Sequence, residues 1–244
     1  MTSPRFTPWS LGRRSGTLRL APPACLEGSP THTVPSSGTW EVVLVEPNSQ
    51  LVLIRHGETE WSRSGQHTGR TDIPLTEEGR RVAAPLRARL ARYDFAAVYS
   101  SPLRRAVETA QIAGLGERAQ LRPELMEWDY GDYEGLVTAQ IREREPGWTL
   151  WTHGVPHGET AAQVAARVDR LLAEVRSASG PVALFAHGHV LRVLAARYLG
   201  LPPTEGRLFA LGTASISVLA RDGGLPVLEL WNDQSHLAPA ASIL

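Results

Sequence analysis

The chain has 244 residues, with 25 basic and 25 acidic side chains and a formal net charge of zero, which argues against a nucleic-acid-binding surface. Every basic residue is arginine, which excludes a Schiff-base lysine, a P-loop lysine and a lysine general base. The single cysteine, Cys25, excludes an internal disulfide, and no apolar run approaches the roughly 18 residues of a membrane span. A bound anion must therefore contact arginine, histidine or backbone N–H groups.

The first 48 residues contain seven prolines and many serine, threonine and glycine residues. This composition predicts a disordered extension over residues 1–48, followed by one folded domain over residues 49–244. The alternative is a targeting peptide, because Arg13-Arg14 resembles a twin-arginine signal, although the apolar stretch behind it is short and broken by prolines. Residues 40–45 have the pattern of a strand at the edge of the domain.

From residue 49 onward, apolar runs alternate with amphipathic helical patterns. The predicted strands cover residues 51–54, 96–99, 182–186, 213–220 and 226–231. The predicted helices cover residues 76–93, 102–113, 159–177 and 189–199. This alternation predicts an α/β fold, a three-layer α/β/α sandwich with a mostly parallel sheet and an antiparallel edge.

Two of the predicted strands end at a histidine. His56 comes shortly after the strand at 51–54, and His187 comes directly after the strand at 182–186. Ligands of open α/β sheets bind beyond the carboxyl ends of the strands, so the two histidines can face one crevice. A lone histidine there is usually structural, but two, each followed by glycine, favour a functional site.

Arg104 lies in the first turn of the next predicted helix, where the helix dipole favours an anion. Together with Arg55 it suits a tetrahedral oxyanion, because guanidinium groups bind phosphate through two parallel hydrogen bonds. The neighbouring charges Arg105, Glu108 and Arg118 have the pattern of solvated surface residues.

A candidate acid lies in a later loop. Glu127 and Asp129 flank Trp128, and a carboxyl group against aromatic surface is a candidate proton donor. Either carboxylate alone is more typical of a solvated loop charge.

Five segments together resemble the histidine phosphatase superfamily, which has the phosphoglycerate mutase-like fold. The first is the signature Arg55-His56-Gly57-Glu58-Thr59. The others match in order and spacing over residues 68–76, 100–106, 127–131 and 186–188. The resemblance covers about residues 50–235, and the ordered set is specific where the first signature alone would be weak.

The resemblance implies a role for each matching position. His56 resembles the nucleophile that becomes a phosphohistidine, and Glu127 resembles the residue that protonates the leaving oxygen and then activates water. The positions that resemble the phosphoryl pocket are Arg55, Arg104 and His187. The positions that align with supporting contacts to substrate or phosphate are Ser62, Thr68, Gly69, Tyr130 and Gly188. The resemblance implies neither a metal nor another cofactor.

Departures from the mutase pattern of this family favour a hydrolase. Thr138 stands where mutases are expected to carry a substrate-binding lysine, and Ser62 stands where they carry asparagine. Several segments are similar to the sedoheptulose 1,7-bisphosphatase branch, and small acid phosphatases carry much the same motifs. We therefore predict a cytoplasmic phosphomonoesterase for a small phosphorylated metabolite, with a sugar bisphosphate as one candidate substrate. The oligomeric state stays undecided, and a homodimer is one candidate.

Three alternatives to a phosphatase stay open. The first is a phosphoglycerate mutase, and the second is a non-catalytic protein that binds a phosphorylated ligand. The third is a metal-binding module, because alternation along a strand would place His187 and His189 on one side, with His153 or His157 nearby.

Four further residues have two interpretations each. Trp148 and Trp151 fit a hydrophobic lid or core and a sugar-stacking surface equally well. Arg63 and Arg70, near the nucleophile, are candidates for a second phosphate, although the surface interpretation is the more common one for such charges.

Overall fold

The computed structural model describes residues 50–237. The expected extension over residues 1–48 and the expected strand over residues 40–45 lie outside the described residues. Within residues 50–237, no helix combines the length and the apolar composition needed to cross a membrane.

Six strands of the described region form a single sheet. They are β1 (Leu51–Arg55), β2 (Ala97–Ser100), β3 (Ala119–Leu121), β4 (Val182–Ala186), β5 (Ile216–Asp222) and β6 (Leu225–Asp233). Their order across the sheet is β3-β2-β4-β1-β5-β6. The first four run parallel, whereas β5 is antiparallel to β1 and β6 is antiparallel to β5. The predicted mostly parallel sheet with an antiparallel edge is therefore confirmed.

Helices cover both faces of this sheet. They are α1 (Glu60–Ser64), α2 (Glu77–Ala83), α3 (Leu86–Leu90), α4 (Arg104–Ile112), α5 (Thr138–Arg144), α6 (Leu150–His153), α7 (Ala161–Val175) and α8 (Gly188–Tyr198). Leu51 and Leu53 of β1 pack with α7 and α8, whereas Val52 and Ile54 pack with α2, α3 and α4. The first four residues of the strand are buried on both faces, which explains why all four are apolar.

Some predicted boundaries differ from the structure. The predicted helix over residues 76–93 is two helices, because Pro85 lacks a backbone N–H and separates α2 from α3. The sequence prediction also omitted β3, α1, α5 and α6. These elements have three, five, seven and four residues, too few to show a clear hydrophobic period.

The carboxyl ends of the parallel strands bring the candidate site together. The register pairs Arg55 of β1 with Ala186 of β4, so the residues that follow, His56 and His187, lie side by side. Ser101 follows the neighbouring strand β2 at the same edge. α8 begins directly after His187, so its N-terminus also points toward this edge.

Candidate functional site

His56 lies at the end of β1 and is only 5% exposed. Its Nδ1 lies 2.6 Å from the carbonyl oxygen of Gly57. A carbonyl oxygen can only accept a hydrogen bond, so Nδ1 donates and carries the ring proton. In the neutral ring Nε2 then has a free lone pair, which is the form that a nucleophilic histidine needs.

The surroundings of His56 keep its ring neutral. Burial lowers the pKa of His56 well below its ordinary value, and the guanidinium groups of Arg105 and Arg55 lower it further. The hydrogen bond to the Gly57 carbonyl acts in the opposite direction but is the smaller effect. The nucleophilic form is therefore the main form at neutral and mildly acidic pH.

A second buried histidine lies beside the first. The ring centroids of His56 and His187 are 5.1 Å apart, and His187 is fully buried. Arg105 Nε donates to His187 Nδ1 at 3.0 Å, so Nε2 carries the proton and donates to Ser101 Oγ at 2.7 Å. Burial, followed by Arg105 and His56, lowers the pKa of His187 well below its ordinary value. Both histidines are thus neutral, each in a defined tautomer.

Arg105 is the arginine that α4 contributes to this region. It is fully buried, and its guanidinium group donates to the carbonyl oxygens of Thr68, Gly69 and Thr71. The Arg104 side chain is exposed and lines a separate surface groove. The sequence assignments of Arg104 to the pocket and of Arg105 to the surface are therefore wrong. One residue along a helix turns a side chain by about 100°, which exchanges the buried and exposed faces.

Glu127 is 4% exposed and lies at the N-terminus of α8. Its Oε1 accepts the backbone N–H groups of Trp128 and Val190 at 2.9 and 2.8 Å. Its Oε2 accepts the backbone N–H of His189 at 2.9 Å. The carboxylate thus takes the place of a helix cap, since the N-cap residue itself makes no side-chain cap. The helix N-terminus thereby fixes the position of the candidate acid.

Arg167 of α7 holds the loop that carries Glu127. Its guanidinium group pairs with both carboxylate oxygens of Glu159, at 2.9 and 3.0 Å. The same group donates to the carbonyl oxygens of Glu124, Met126 and Glu127. The three carbonyl hydrogen bonds of Arg167, whose guanidinium group Glu159 positions, thus hold this loop in place.

Arg55, His56 and Glu127 line a cavity of about 180 Å³, which we name the inner cavity. Its other lining residues are Ser62, Gly65, Gln66, His67, Thr68, Tyr130, Gly188, His189, Arg192 and Leu211. Arg55 Nε is buried and has no hydrogen-bond partner among the described residues. Burial lowers the pKa of Arg55, and the nearby Glu127 raises it. The inner cavity therefore offers an anion a guanidinium group next to a neutral nucleophile.

Comparison with known proteins identifies the family. The model of the histidine phosphatase superfamily (branch 1) matches residues 51–234. The chain belongs to the histidine phosphatase superfamily.

Several named relatives of this histidine phosphatase are phosphatases, and others are named as probable phosphoglycerate mutases. The acid phosphatase of Mycobacterium tuberculosis is 44% identical over 200 residues, which are 80% of this chain and 98% of that protein. The sedoheptulose 1,7-bisphosphatase of Saccharomyces cerevisiae is 34% identical over 184 residues, 62% of this chain and 68% of that protein. The solved structure of an open reading frame from Mycobacterium tuberculosis has a TM-score of 0.72 at 43% identity, covering 76% of this chain and 97% of that chain. The predicted family and the enzyme class, a phosphatase, are confirmed.

The structure places four of the sequence-predicted contact residues in the inner cavity of this histidine phosphatase. They are Ser62, Thr68, Tyr130 and Gly188. Gly69 is outside the lining, and its N–H donates to Glu134 Oε1 at 2.9 Å. A Cβ at this glycine would lie 2.5 Å from the Trp128 carbonyl oxygen. Close backbone packing explains the glycine at this position, and its contact with substrate stays a prediction.

A second cavity of about 310 Å³, which we name the outer cavity, shares His67 and His189 with the inner cavity. Its other lining residues are Thr138, Arg142, Trp148, Thr149, Leu150, Trp151 and Arg207. Trp148 is 2% exposed and belongs mainly to the hydrophobic core, whereas Trp151 is half-buried. Sequence reasoning missed His67, because it follows no predicted strand and belongs to no charged cluster.

Arg63 and Arg70, the candidates for a second phosphate, lie outside both cavities. Arg63 forms an exposed ion pair with Glu60, and Arg70 lies 3.3 Å from Asp129. Neither side chain lines the inner or the outer cavity. The surface interpretation therefore fits both residues.

The metal-binding alternative finds no support in residues 50–237. This part of the chain contains no group of three or more histidine, cysteine, aspartate or glutamate residues placed to hold a metal ion. His187 precedes α8 and His189 lies in its first turn, so the alternation of a strand does not apply to them.

Proposed function

We propose that this histidine phosphatase hydrolyses phosphomonoesters of small metabolites through a phosphohistidine on His56. The observation that carries the proposal is the hydrogen bond from His56 Nδ1 to the Gly57 carbonyl, which leaves Nε2 as a lone-pair nucleophile in the inner cavity. The Arg55 guanidinium group lines the same cavity and suits a phosphoryl group.

The first step forms the phosphoenzyme. His56 Nε2 attacks phosphorus and forms the N–P bond while the ester P–O bond breaks. The leaving oxygen receives the electron pair and takes a proton from the Glu127 carboxyl group. Oε2 suits this exchange, because it accepts one backbone N–H whereas Oε1 accepts two.

The second step releases phosphate. A water molecule gives its proton to Glu127 as its oxygen attacks phosphorus, and the P–N electron pair returns to His56 Nε2. Arg55 contacts the phosphoryl oxygens, and the buried guanidinium group of Arg105, beside His187, adds positive charge to the site. His187 packs beside His56 and holds Arg105 and Ser101 in position. The sum of the two steps is ester plus water giving alcohol plus phosphate.

The substrate class follows from the relatives and from the residues near the cavity. An acid phosphatase and a sugar bisphosphatase are among the proteins that match this chain. Thr138 stands where a mutase lysine is expected, and its hydroxyl oxygen lies 3.3 Å from His67 Nε2. We therefore favour net hydrolysis of a small phosphorylated metabolite, with a sugar bisphosphate as one candidate, over phosphoglycerate mutation.

The phosphohistidine is tested by trapping it. Wild-type enzyme mixed with radiolabelled phosphomonoester and quenched in alkaline detergent should retain label on the protein, and acid should release it. His56→Ala should lose the label and at least about 10⁴-fold in kcat. His153→Ala, an exposed histidine on α6, is the matched control and should label normally. Undiminished turnover in His56→Ala would contradict the proposal.

Three expectations of the sequence accompany this function. We propose a cytoplasmic enzyme without a nucleic-acid partner, and we keep the homodimer as one oligomeric state to be measured by light scattering. The balanced charge of the whole chain supports the second of these expectations.

A further inference from the structure

His189 lies in the wall between the two cavities. It occupies the first turn of α8, and its side chain lines both the inner and the outer cavity. Its backbone N–H donates to Glu127, but its imidazole ring takes part in neither of the two proposed reaction steps. The ring therefore stands between the place where phosphorus reacts and the place where the rest of a substrate would lie.

The hydrogen bond to Tyr130 determines which nitrogen of His189 carries the proton. The Tyr130 hydroxyl oxygen lies 2.6 Å from His189 Nδ1. Burial raises the pKa of Tyr130 well above its ordinary value, so the hydroxyl keeps its proton. Among the described residues this hydroxyl has His189 as its partner, so donation to Nδ1 is the arrangement that satisfies it.

The imidazole is consequently a neutral donor through Nε2. Burial, then the charges of Arg192 and His67, lower the pKa of His189 well below its ordinary value. With Nδ1 accepting from Tyr130, the one ring proton lies on Nε2. The hydrogen bonds of the described residues use only Nδ1 of this ring.

Neighbouring rings hold the imidazole in place. The Tyr130 ring lies 5.8 Å from it in an edge arrangement, and the Trp151 ring lies 5.3 Å away. The His67 ring is 6.3 Å away on the cavity side. A donor fixed on three sides loses little conformational entropy when it binds an acceptor.

The outer cavity suits a hydroxylated carbon skeleton. Thr138 and Thr149 provide hydroxyl groups, and Trp151 and Leu150 provide apolar lining. Of the two arginines of this cavity, Arg142 donates through Nε to the Trp148 carbonyl, and Arg207 pairs with Glu205. The two hydroxyl groups, together with the Nε2–H of His189, suit the hydroxyl groups of a polyol or sugar.

We propose that His189 is a specificity-determining residue, whose Nε2–H donates to a skeletal hydroxyl of the phosphoester in the outer cavity. The inference rests on the proposed phosphatase function and names its substrate class, phosphoesters of polyols and sugars. Tyr130 is the positioning residue, because it fixes the tautomer that makes Nε2 the donor.

The test compares two phosphoesters that differ in their hydroxyl groups. Sorbitol 6-phosphate and n-hexyl phosphate have six-carbon skeletons and the same type of scissile bond. The measured quantity is the ratio of kcat/KM for the first to kcat/KM for the second. In His189→Leu this ratio should fall about tenfold from the wild-type value, the loss expected for one hydrogen bond. His153→Leu is the matched control and should keep the wild-type ratio.

Two further variants separate hydrogen bonding from shape. His189→Gln places an amide N–H near the position of Nε2 and should recover most of the ratio. Tyr130→Phe keeps the imidazole but removes the hydroxyl that fixes its tautomer, so the ratio should fall by a smaller factor than in His189→Leu. The control is Tyr198→Phe, which removes a hydroxyl bound to the Ala220 carbonyl and should leave the ratio unchanged.

The outcomes distinguish this inference from the function on which it rests. Phosphate release from neither ester by the wild-type enzyme would overturn the phosphatase proposal itself. Release from both esters with an unchanged ratio in His189→Leu would overturn only the role of His189. An equal fall of the ratio in His189→Gln and His189→Leu would also overturn it, because shape and not the donor would then be responsible.

Discussion

The inner and outer cavities share two histidines, but the chain builds them in different ways. In the inner cavity His56 follows a strand end and Glu127 lies in a loop at the N-terminus of α8, and backbone atoms hold both in place. The Gly57 carbonyl orients His56, and N–H groups of α8 hold Glu127. The outer cavity is formed mainly by side chains of α5, α6 and a 3-10 helix (Pro203–Leu208).

This difference separates chemistry from selectivity. Backbone atoms present the same groups whatever the neighbouring side chains are, so the inner cavity suits a reaction common to all phosphomonoesters. Side chains on short helices can change without moving the sheet, so the outer cavity suits discrimination between carbon skeletons. Substitutions in the inner cavity should lower the turnover of every ester, whereas substitutions in the outer cavity should change the preference among esters.

After the loss of the nucleophile itself, the largest effect is expected at Arg105. Arg105→Met removes a buried positive charge near His56 and the hydrogen bond that sets the tautomer of His187. We expect kcat to fall by about 10²–10³-fold, equally for sorbitol 6-phosphate and n-hexyl phosphate. Arg104→Met on the preceding, exposed position should stay within about twofold of the wild type.

The variants Arg105→Met and Arg104→Met also test the contribution of each arginine to stability, since Arg105 donates to three carbonyl oxygens of one loop. Urea denaturation should show a lower free energy of unfolding for Arg105→Met than for Arg104→Met. A large loss of kcat in Arg104→Met, with Arg105→Met active, would restore the assignment made from the sequence and break the distinction between the two positions.

The next effect concerns pH and the histidines around both cavities. Burial lowers the pKa values of His56, His67, His187 and His189 in the folded protein. In the unfolded chain these side chains bind protons near pH 6.5. As pH falls through 6.5 the unfolded state therefore binds more protons, and the free energy of unfolding should decrease. The expected loss is up to about 1.4 kcal/mol per pH unit for each histidine that stays neutral when folded.

Activity should respond to pH differently from stability. The nucleophile is already neutral, so kcat/KM should not fall when the pH drops from 7.5 to 6.5 on account of His56. Urea denaturation at several pH values measures the stability, and initial rates measure the activity. His187→Asn should show a shallower decrease of stability with acidification. A free energy of unfolding that rises between pH 7.5 and 5.5 would contradict the burial of these neutral rings.

The sequence predicted the fold and the reactive centre better than the outer cavity. β1 and β4 were predictable because buried parallel strands are uniformly apolar, and His56 and His187 follow from where these strands end. Glu127 and Asp129 were both candidate acids beside Trp128, and the family resemblance selected Glu127, since no local pattern shows that a loop carboxylate caps a helix about 60 residues later.

The misassigned arginine had a detectable signal. Arg105 lies on the same helical face as Ala106, Thr109 and Ala110, all of them buried, whereas Arg104 lies beyond that face. The prediction placed Arg104 in the pocket because of its charge near the helix N-terminus and did not consider which face of the helix each arginine occupies. The outer cavity had no comparable signal, because α5 and α6 are short and the contact of Thr138 with His67 joins residues far apart in sequence.

The smallest effects are expected for one substitution in each cavity, and they test most directly whether the two cavities bind different parts of the substrate. Gly188→Ala places a Cβ 3.4 Å from Arg55 Cζ and 3.6 Å from Glu127 Oε2, an ordinary contact that the fold can accept but that takes space from a phosphoryl group. We expect the inhibition constant of inorganic phosphate to rise about threefold to tenfold. Thr138→Val removes one hydroxyl of the outer cavity at nearly constant volume and should leave phosphate inhibition unchanged, while KM for sorbitol 6-phosphate changes by about twofold. If Thr138→Val weakens phosphate inhibition as much as Gly188→Ala does, the two cavities bind phosphate together and the separation drawn between them fails.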